Sequence, residues 1–235
     1  ESKIIIIGYS GIYLSTDSGK NWTKVNDSKF FQPFSLRSAA VSGDNIYVGT
    51  GGGGVFLSED NGTTWKAINN GLSGQVLEVG SIAISGNNLY MGSFYNGIYL
   101  STDKGSSWKQ LQNGITNSQV YSIVTSGSKV YAGTGNGVFF SIDNGSTWKE
   151  VNTGLTTRGV LSLNINGDYL FAGTRGGGVW RRSLSEIKDV ILSVQNIKVD
   201  NVENNTSTFN IVSNTDWTIS ATSTWLTVDK SNGTG

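Results

Sequence analysis

The 235-residue chain contains no cysteine and no histidine. Without cysteine there are no disulfides, no thiolate metal sites and no thiol nucleophiles. Without histidine there is no Ser-His-Asp triad, no imidazole ligand for zinc and no side chain that titrates unaided near neutral pH. Only carboxylates, tyrosines and lysines remain for catalysis, so the reading is of a protein with no metal, no cofactor and no catalytic residues. Charge is scarce and balanced, with 17 basic against 17 acidic residues. That balance leaves no footprint for nucleic acid and no attraction to anionic lipid. The longest aliphatic run, "KIIIIG" at Lys3 to Gly8, is far too short to cross a bilayer, which argues against membrane insertion. The sequence opens at Glu1 directly into that run, as a mature or excised segment would.

Against one proline, Pro33, stand 32 glycines, and aromatic residues make up 11% of the chain. The glycines fall at regular intervals between β-branched and aromatic runs, the pattern of many short strands joined by tight turns. The spacing is periodic. "STDSGKNW" (Ser15 to Trp22), "SEDNGTTW" (Ser58 to Trp65), "STDKGSSW" (Ser101 to Trp108) and "SIDNGSTW" (Ser141 to Trp148) place tryptophans 43, 43 and 40 residues apart. Around them each unit reads as strand a, an SG turn, strand b, a glycine loop, strand c, the Asp motif and strand d, as in "AAVSGDNIYVGTGGGGVFLSEDNGTTWKAIN". Four antiparallel strands in about 40 residues, repeated in tandem, predict β-propeller blades. The first unit lacks strand a. The fifth, "LSLNINGDYLFAGTRGGGVWRRSLSE", carries Leu184 in place of the Asp and lacks strand d. The expectation is therefore three full blades and two partial ones, either an unusual five-bladed closure or, as the preferred reading, a segment from which earlier blades are missing.

The Asp motif has a folding reason at every position. Asp17, Asp60, Asp103 and Asp143 open a tight turn in which a carboxylate accepts backbone N–H groups. Gly19, Gly62, Gly105 and Gly145 supply positive φ. Ser15, Ser58, Ser101 and Ser141 offer a hydroxyl across the hairpin, and Trp22, Trp65, Trp108 and Trp148 are expected to bury their rings between blades. A calcium loop would need more oxygen ligands and a bidentate Glu near its twelfth position, which none of the four copies has.

These four in-register copies resemble the Asp-box, or BNR, repeat family, whose pattern S-x-D-x-G-x-T-W is met by "SEDNGTTW". The resemblance covers about the first 185 residues and implies a propeller in which the motifs are peripheral scaffold, away from the ligand site. The family includes sialidases, xyloglucan-degrading glycosidases, sortilin-type receptors and photosystem II assembly factors. A sialidase resemblance would imply an arginine clamp and an "RIP" motif. The five arginines here are Arg37, Arg158, Arg175, Arg181 and Arg182, and "FSLRSAA" around Arg37 has no such motif. Glu78 is the one acid considered for glycoside chemistry, but a glycosidase needs two carboxylates roughly 5–10 Å apart and no partner for it is evident. "GTGGGG" (Gly49 to Gly54) fits a dinucleotide loop by letter only, because a strand follows it instead of a helix.

After Ser185 the register ends. The tail alternates apolar and polar residues as sandwich strands do. "FNIVSNTDWTIS" (Phe209 to Ser220) and "WLTVDKSNGTG" (Trp225 to Gly235) resemble the first half of a BACON domain, an Ig-like module associated with surface proteins of the Bacteroidota. The domain reading is thus a propeller over 1–185, followed over 186–235 by a linker and a partial Ig-like domain.

In a propeller the d–a connections and b–c loops share one face, opposite the Asp motifs. That face would hold residues 28–38, 73–80, 116–122 and 156–160, with the b–c loops 93–97 and 174–178. Its binding candidates are Phe94, Tyr95 and Asn96 beside Arg175, and a second cluster of Phe30, Phe31, Phe34 and Arg37 around Pro33. Exposed rings next to amide and guanidinium groups suit sugar stacking or a protein anchor, although the same rings can also plug space between blades. The sequence thus reads as a non-catalytic binding module working outside the cell, at its surface or in the periplasm, whose partner is a glycan or a surface protein. Two alternatives stand beside it: a structural subunit of a surface or secretion assembly, and a fragment of a sialidase-like glycoside hydrolase without its catalytic blades.

Overall fold

The computed structural model describes residues 3–8, 11–26, 31–111, 114–115, 119–188, 190–192, 211–213, 217–218 and 232–233. The chain divides into two compact units, Glu1–Arg182 and Ser183–Gly235. The first unit is built of five antiparallel meanders, each a propeller blade. Blade 1 holds β1 (Ile4–Gly8), β2 (Gly11–Ser15) and β3 (Thr23–Lys24), which are strands b, c and d. Blade 2 is complete, with β4 (Ser35–Ser42), β5 (Asn45–Gly51), β6 (Gly54–Ser58) and β7 (Lys66–Ala67). So is blade 3, with β8 (Val79–Ser85), β9 (Asn88–Ser93), β10 (Gly97–Ser101) and β11 (Lys109–Leu111). Blade 4 follows with β12 (Val120–Ser126), β13 (Lys129–Thr134), β14 (Gly137–Ser141) and β15 (Lys149–Glu150), and blade 5 has strands a to c as β16 (Val160–Asn166), β17 (Tyr169–Thr174) and β18 (Gly178–Ser183).

Strand d is shorter than its five-residue sequence run suggests, because an asparagine side chain replaces the backbone ladder. Asn69 Oδ1 accepts the Val55 N–H at 2.8 Å while its Nδ2 donates to the Gly53 carbonyl at 2.9 Å. Asn152 does the same for Val138, at 2.7 Å, and Asn136. Each asparagine therefore ends strand d and holds the b–c loop beside it.

The blades meet through apolar cores. Ile12, Leu14 and Phe31 pack with Ile46, Val48 and Phe56 between blades 1 and 2. Tyr47, Val55 and Leu57 meet Val79, Ile82 and Met91 between blades 2 and 3, and Tyr90 and Ile98 meet Val120, Val130 and Phe139 between blades 3 and 4. A recurrent polar bond crosses the innermost strands. Ile82 N–H donates to Ser38 Oγ at 2.8 Å, Ile123 N–H to Ser81 Oγ at 2.9 Å, and Leu163 N–H to Ser122 Oγ at 3.0 Å. Each such serine follows a bulge in strand a, where the register shifts between Leu36 and Ser38, Val79 and Ser81, Val120 and Ser122, and Val160 and Ser162. The unpaired bulge residues are Arg37, Gly80, Tyr121 and Leu161.

The four Asp motifs fold alike as the c–d turns. In blade 2, Ser58 Oγ donates to Asp60 Oδ1 at 2.7 Å and accepts the Gly62 N–H at 2.7 Å. Asp60 Oδ1 accepts the Thr64 N–H at 2.8 Å and Oδ2 accepts the Thr64 hydroxyl at 2.7 Å. The serine thus works inside the turn and does not reach across the hairpin. Asn61 and Gly62 have φ of 56° and 91°, two successive left-handed residues that the carboxylate stabilises through the N–H groups it gathers. These bonds hold the Asp17, Asp60 and Asp103 carboxyls down at about 2, with the turn N–H of Asn21 or Thr64, or the Ser107 hydroxyl, as the leading cause.

The tryptophans depart from the expectation. Trp108 and Trp148 are buried, at 7% and 4% exposure, and Trp108 Nε1 donates to the Ile68 carbonyl of the preceding blade at 2.7 Å. Trp65 is only partly buried, against Phe31 at 5.3 Å between ring centroids. Trp22 is 38% exposed and donates its Nε1 to Gly19 of its own turn, as Trp65 does to Gly62. Ile46 and Val48 are fully buried against blade 1, but Ile4 and Ile6, at the matching register, are 39% and 50% exposed. Leu161, Tyr169 and Val179 are the exposed apolar residues of blade 5.

In the second unit a single 3-10 turn, Leu184–Glu186, stands where blade 5 would carry its Asp motif, and Ser183 Oγ accepts the Ser185 N–H. Two antiparallel pairs follow, β19 (Val190–Leu192) with β20 (Ile211–Ser213) and β21 (Trp217–Thr218) with β22 (Asn232–Gly233). The stretches that resemble a BACON domain lie largely outside the described residues.

Two outcomes follow from the first unit. Ser81→Ala strands the buried Ile123 N–H and is expected to destabilise the protein by about 1–3 kcal/mol in urea unfolding, whereas loss of an exposed serine hydroxyl such as Ser42 changes it by less than about 0.5 kcal/mol. The second concerns acid. The folded carboxyls of Asp17, Asp60 and Asp103 lie below the ordinary value of 3.8, so their contribution is complete above that value and is lost as pH falls toward about 2. Thermal melting is expected to hold steady from pH 7 to about pH 5 and to fall below it, with Asp60→Asn flattening part of the acid limb. An acid limb unchanged by that substitution would remove the turn from the account.

Candidate functional site

The bulges and the b–c loops lie at the same end of the blades. The Phe94 N–H donates to the Glu78 carbonyl at 2.9 Å, the Gly52 N–H to Leu77 at 3.1 Å, the Gly135 N–H to Gln119 at 3.1 Å and the Arg175 N–H to Gly159 at 2.7 Å. The loops of blades 3, 4 and 5 are thereby pinned to the start of their own strand a, two residues before the bulge, and the blade 2 loop to the segment that leads into blade 3. A bulge turns its extra residue out of the ladder, and here it aims that residue at the loop face.

Four side chains from four successive blades meet there in a ladder. The Arg37 guanidinium, from the bulge of β4, lies 5.2 Å from the centroid of the Phe94 ring, from the b–c loop of blade 3. Phe94 makes an edge-to-face contact with Tyr121, the bulge of β12, at 5.5 Å and 71°. The Arg175 guanidinium, from the b–c loop of blade 5, lies 5.8 Å from the Tyr121 ring, with Nη2 also 3.5 Å from the Tyr121 hydroxyl. That hydroxyl donates to Gln119 Oε1 at 3.2 Å. Each contact lies within the range where cation–π and edge-to-face attraction operate.

The sequence makes room for the ladder at two points. Blade 3 carries glycine at its bulge; a Cβ on Gly80 would collide with the Val120 carbonyl and touch the Phe94 ring. Blade 4 has a two-residue b–c loop, Gly135 and Asn136, where its neighbours, blades 3 and 5, have three, so Tyr121 is left uncovered by its own hairpin.

Charge at the mouth is uneven. Glu78 Oε2 stands 4.0 Å from Arg37 Nη2, both side chains being about half open to water. Arg175 has no carboxylate partner among the described residues. Arg158 is engaged by Glu150 on the outer strand β15, at 3.5 Å.

Of the residues singled out in the sequence, Phe94, Arg37 and Arg175 join the ladder. Tyr95 stays outside it and is 49% exposed; its N–H donates to Ser93 Oγ. Asn96 offers its carbonyl to Gln110 Nε2 at 2.7 Å, a bond that anchors the loop to strand d. Phe34 lies over Gly53 with 36% exposure. Phe31 is a correction: at 1% exposure it is wedged against Phe56 and Trp65 in the core between blades 1 and 2, out of reach of a ligand. Its neighbour Phe30 lies outside the described residues. Tyr121 lies in the 116–122 stretch that the sequence places on this face but is not among its binding candidates; aligned by unit, it takes the position of Arg37, Gly80 and Leu161.

Among the described residues no group of three or more acidic, histidine or cysteine side chains forms a metal site. Nor is any helix of the described residues long and apolar enough to cross a membrane.

No protein-family model and no curated protein matches the chain. Solved structures do resemble it. The extracellular domain of a proposed one-component system from B. thetaiotaomicron superposes with a TM-score of 0.63 at 18% identity, over 79% of this chain and 25% of that one. A GH74 xyloglucanase from Xanthomonas campestris gives 0.58 at 16% identity, over 77% and 34%. The protein YCF48 bound to D1 peptide gives 0.57 at 16% identity, over 75% and 58%. The chain thus spans between a quarter and three fifths of these three proteins. At such identities the likeness carries the propeller fold alone.

Proposed function

We propose that the first unit is an Asp-box propeller acting as a non-catalytic binding module outside the cytoplasm, and that its loop face recognises a glycan. The observation that carries this is the Arg37–Phe94–Tyr121–Arg175 ladder, which places aromatic and guanidinium groups in line across four blades on the face away from the Asp turns. The Asp-box assignment is supported by the shared bonding of the four turns, which occupies the Ser and Asp side chains in folding. A catalytic reading finds less support, because the acid beside the ladder, Glu78, faces an arginine where a glycosidase would set a second carboxylate. The exported location is in keeping with the extracellular domain among its structural neighbours.

A surface protein is the second reading, favoured by the peptide bound to YCF48 in one of those neighbours. The test is a glycan array probed with the whole 235-residue chain beside its Phe94→Ala/Tyr95→Ala and Tyr121→Ala variants. Glycan binding lost by tenfold or more, about 1–3 kcal/mol, in both variants is the expected outcome. Absence of binding to every glycan would transfer the ladder to a protein partner, and binding indifferent to all three rings would place the site elsewhere.

A further inference from the structure

We infer that the ladder takes a carboxylate-bearing polysaccharide, and that Glu78 stands in for one ligand carboxylate on Arg37 while the site is empty. The inference rests on the proposed glycan-binding reading and names the chemistry of its ligand. A guanidinium that lies over a ring spends its face on the π system and keeps its N–H edge for a partner in its own plane. Arg37 and Arg175 are both held in this way, on Phe94 and Tyr121, with their side chains exposed. The ladder rings are therefore already covered by cations, and what the site offers a ligand is two oriented sets of N–H donors. Their natural complement is an oxyanion bound edge-on.

The site itself contains the pairing. Glu78 reaches Arg37 at 4.0 Å, a loose contact between half-exposed groups that a better-placed carboxylate can replace. Arg175, at the other end, has no carboxylate of its own among the described residues. One acid against two arginines leaves the mouth with a surplus positive charge on an otherwise neutral chain.

The uncovered rings complete the ligand. Tyr95 and Phe34 flank the ladder on the same face, exposed and without a cation over them among the described contacts. They present apolar faces to C–H groups, while the arginines present donors to oxyanions. A uronate chain combines both features in each repeat, an apolar ring face and a carboxylate. A peptide would usually also exploit a free strand edge. Here Phe94, Gly135 and Arg175 spend their N–H groups on Glu78, Gln119 and Gly159 at the start of their own strands a, and Gly52 spends its own on Leu77.

The test is titration of the whole chain with polygalacturonate oligomers, with the same oligomers methyl-esterified at the carboxyl, and with poly-glutamate of matched charge. The expected result is binding to the free acid that is lost on esterification and weak for poly-glutamate. Arg175→Gln should weaken binding by at least about tenfold, the scale of a charge-assisted hydrogen bond. Glu78→Gln should strengthen it by about two- to fivefold, and that gain should disappear in the Arg37→Gln background. Thermal melting of each variant, unchanged from the parent, assigns the effects to binding.

Equal binding of acid and ester would overturn the oxyanion assignment while leaving a glycan-binding face intact. Poly-glutamate binding as tight as the uronate would replace the polysaccharide with an acidic polypeptide. Unaltered or weaker uronate binding by Glu78→Gln would overturn the role of Glu78 alone. If neither parent nor Glu78→Gln bound any of the three probes, the inference would fail, and the glycan array would still decide the broader reading.

Discussion

The array depends on the bulge in each strand a. It inserts one residue into the ladder, and that residue does two things at once. It sets the following serine where its hydroxyl can accept the backbone N–H of the next blade's inner strand, as Ser38, Ser81 and Ser122 do for Ile82, Ile123 and Leu163. It also turns its own side chain out of the ladder toward the loop face, as in Arg37 and Tyr121. Blade cohesion and side-chain display on the loop face are thus coupled through one irregularity. The serine position is fixed by the bond it makes, while the bulge residue before it varies, and it runs Arg, Gly, Tyr, Leu along the chain. A propeller built this way can change its loop face one blade at a time without disturbing its inner weld.

The opposite face obeys the reverse logic. In the c–d turns Ser, Asp and Gly all bond to one another or to turn backbone, and the two left-handed residues leave little tolerance for substitution. The Ser and Asp side chains there are spent on the turn itself. Conformational constraint thus lies on the turn face and chemical variety on the loop face, joined by strands whose apolar residues close the cores between blades.

This division explains what could be read from the sequence. The turns are written in local code, with Asp60, Gly62 and Trp65 at fixed offsets, so blade number, strand order and the two incomplete blades were all legible. Local code failed where the partner lies in another blade. Trp22 carries the same letters as Trp108, yet Trp108 is buried with its Nε1 on the Ile68 carbonyl of the preceding blade while Trp22 is exposed with its Nε1 on its own turn, so identical motifs end in different burial. Phe31 looked like a loop aromatic because its partners, Phe56 and Trp65, are contributed by the next blade. Tyr121 fell within the stretch read onto the loop face, but nothing local marked its ring; it stands out only when the units are aligned on their bulges and the shortened loop at Gly135 and Asn136 is seen beside it.

The ladder also has an energetic consequence. Arginine loses considerable rotamer freedom when a ligand fixes it, and that loss offsets much of what each hydrogen bond contributes. Here Arg37 and Arg175 are stacked on rings before any ligand arrives, and the rings are set edge to face against each other. Phe94 is in turn pinned through its backbone to Glu78, and Tyr121 by its hydroxyl to Gln119. Much of the ordering cost is therefore met during folding, when the surrounding blades fix the same residues. A site assembled from four blades is preorganised only as long as those blades keep their spacing, which returns the function of the face to the serine bonds of the inner strands.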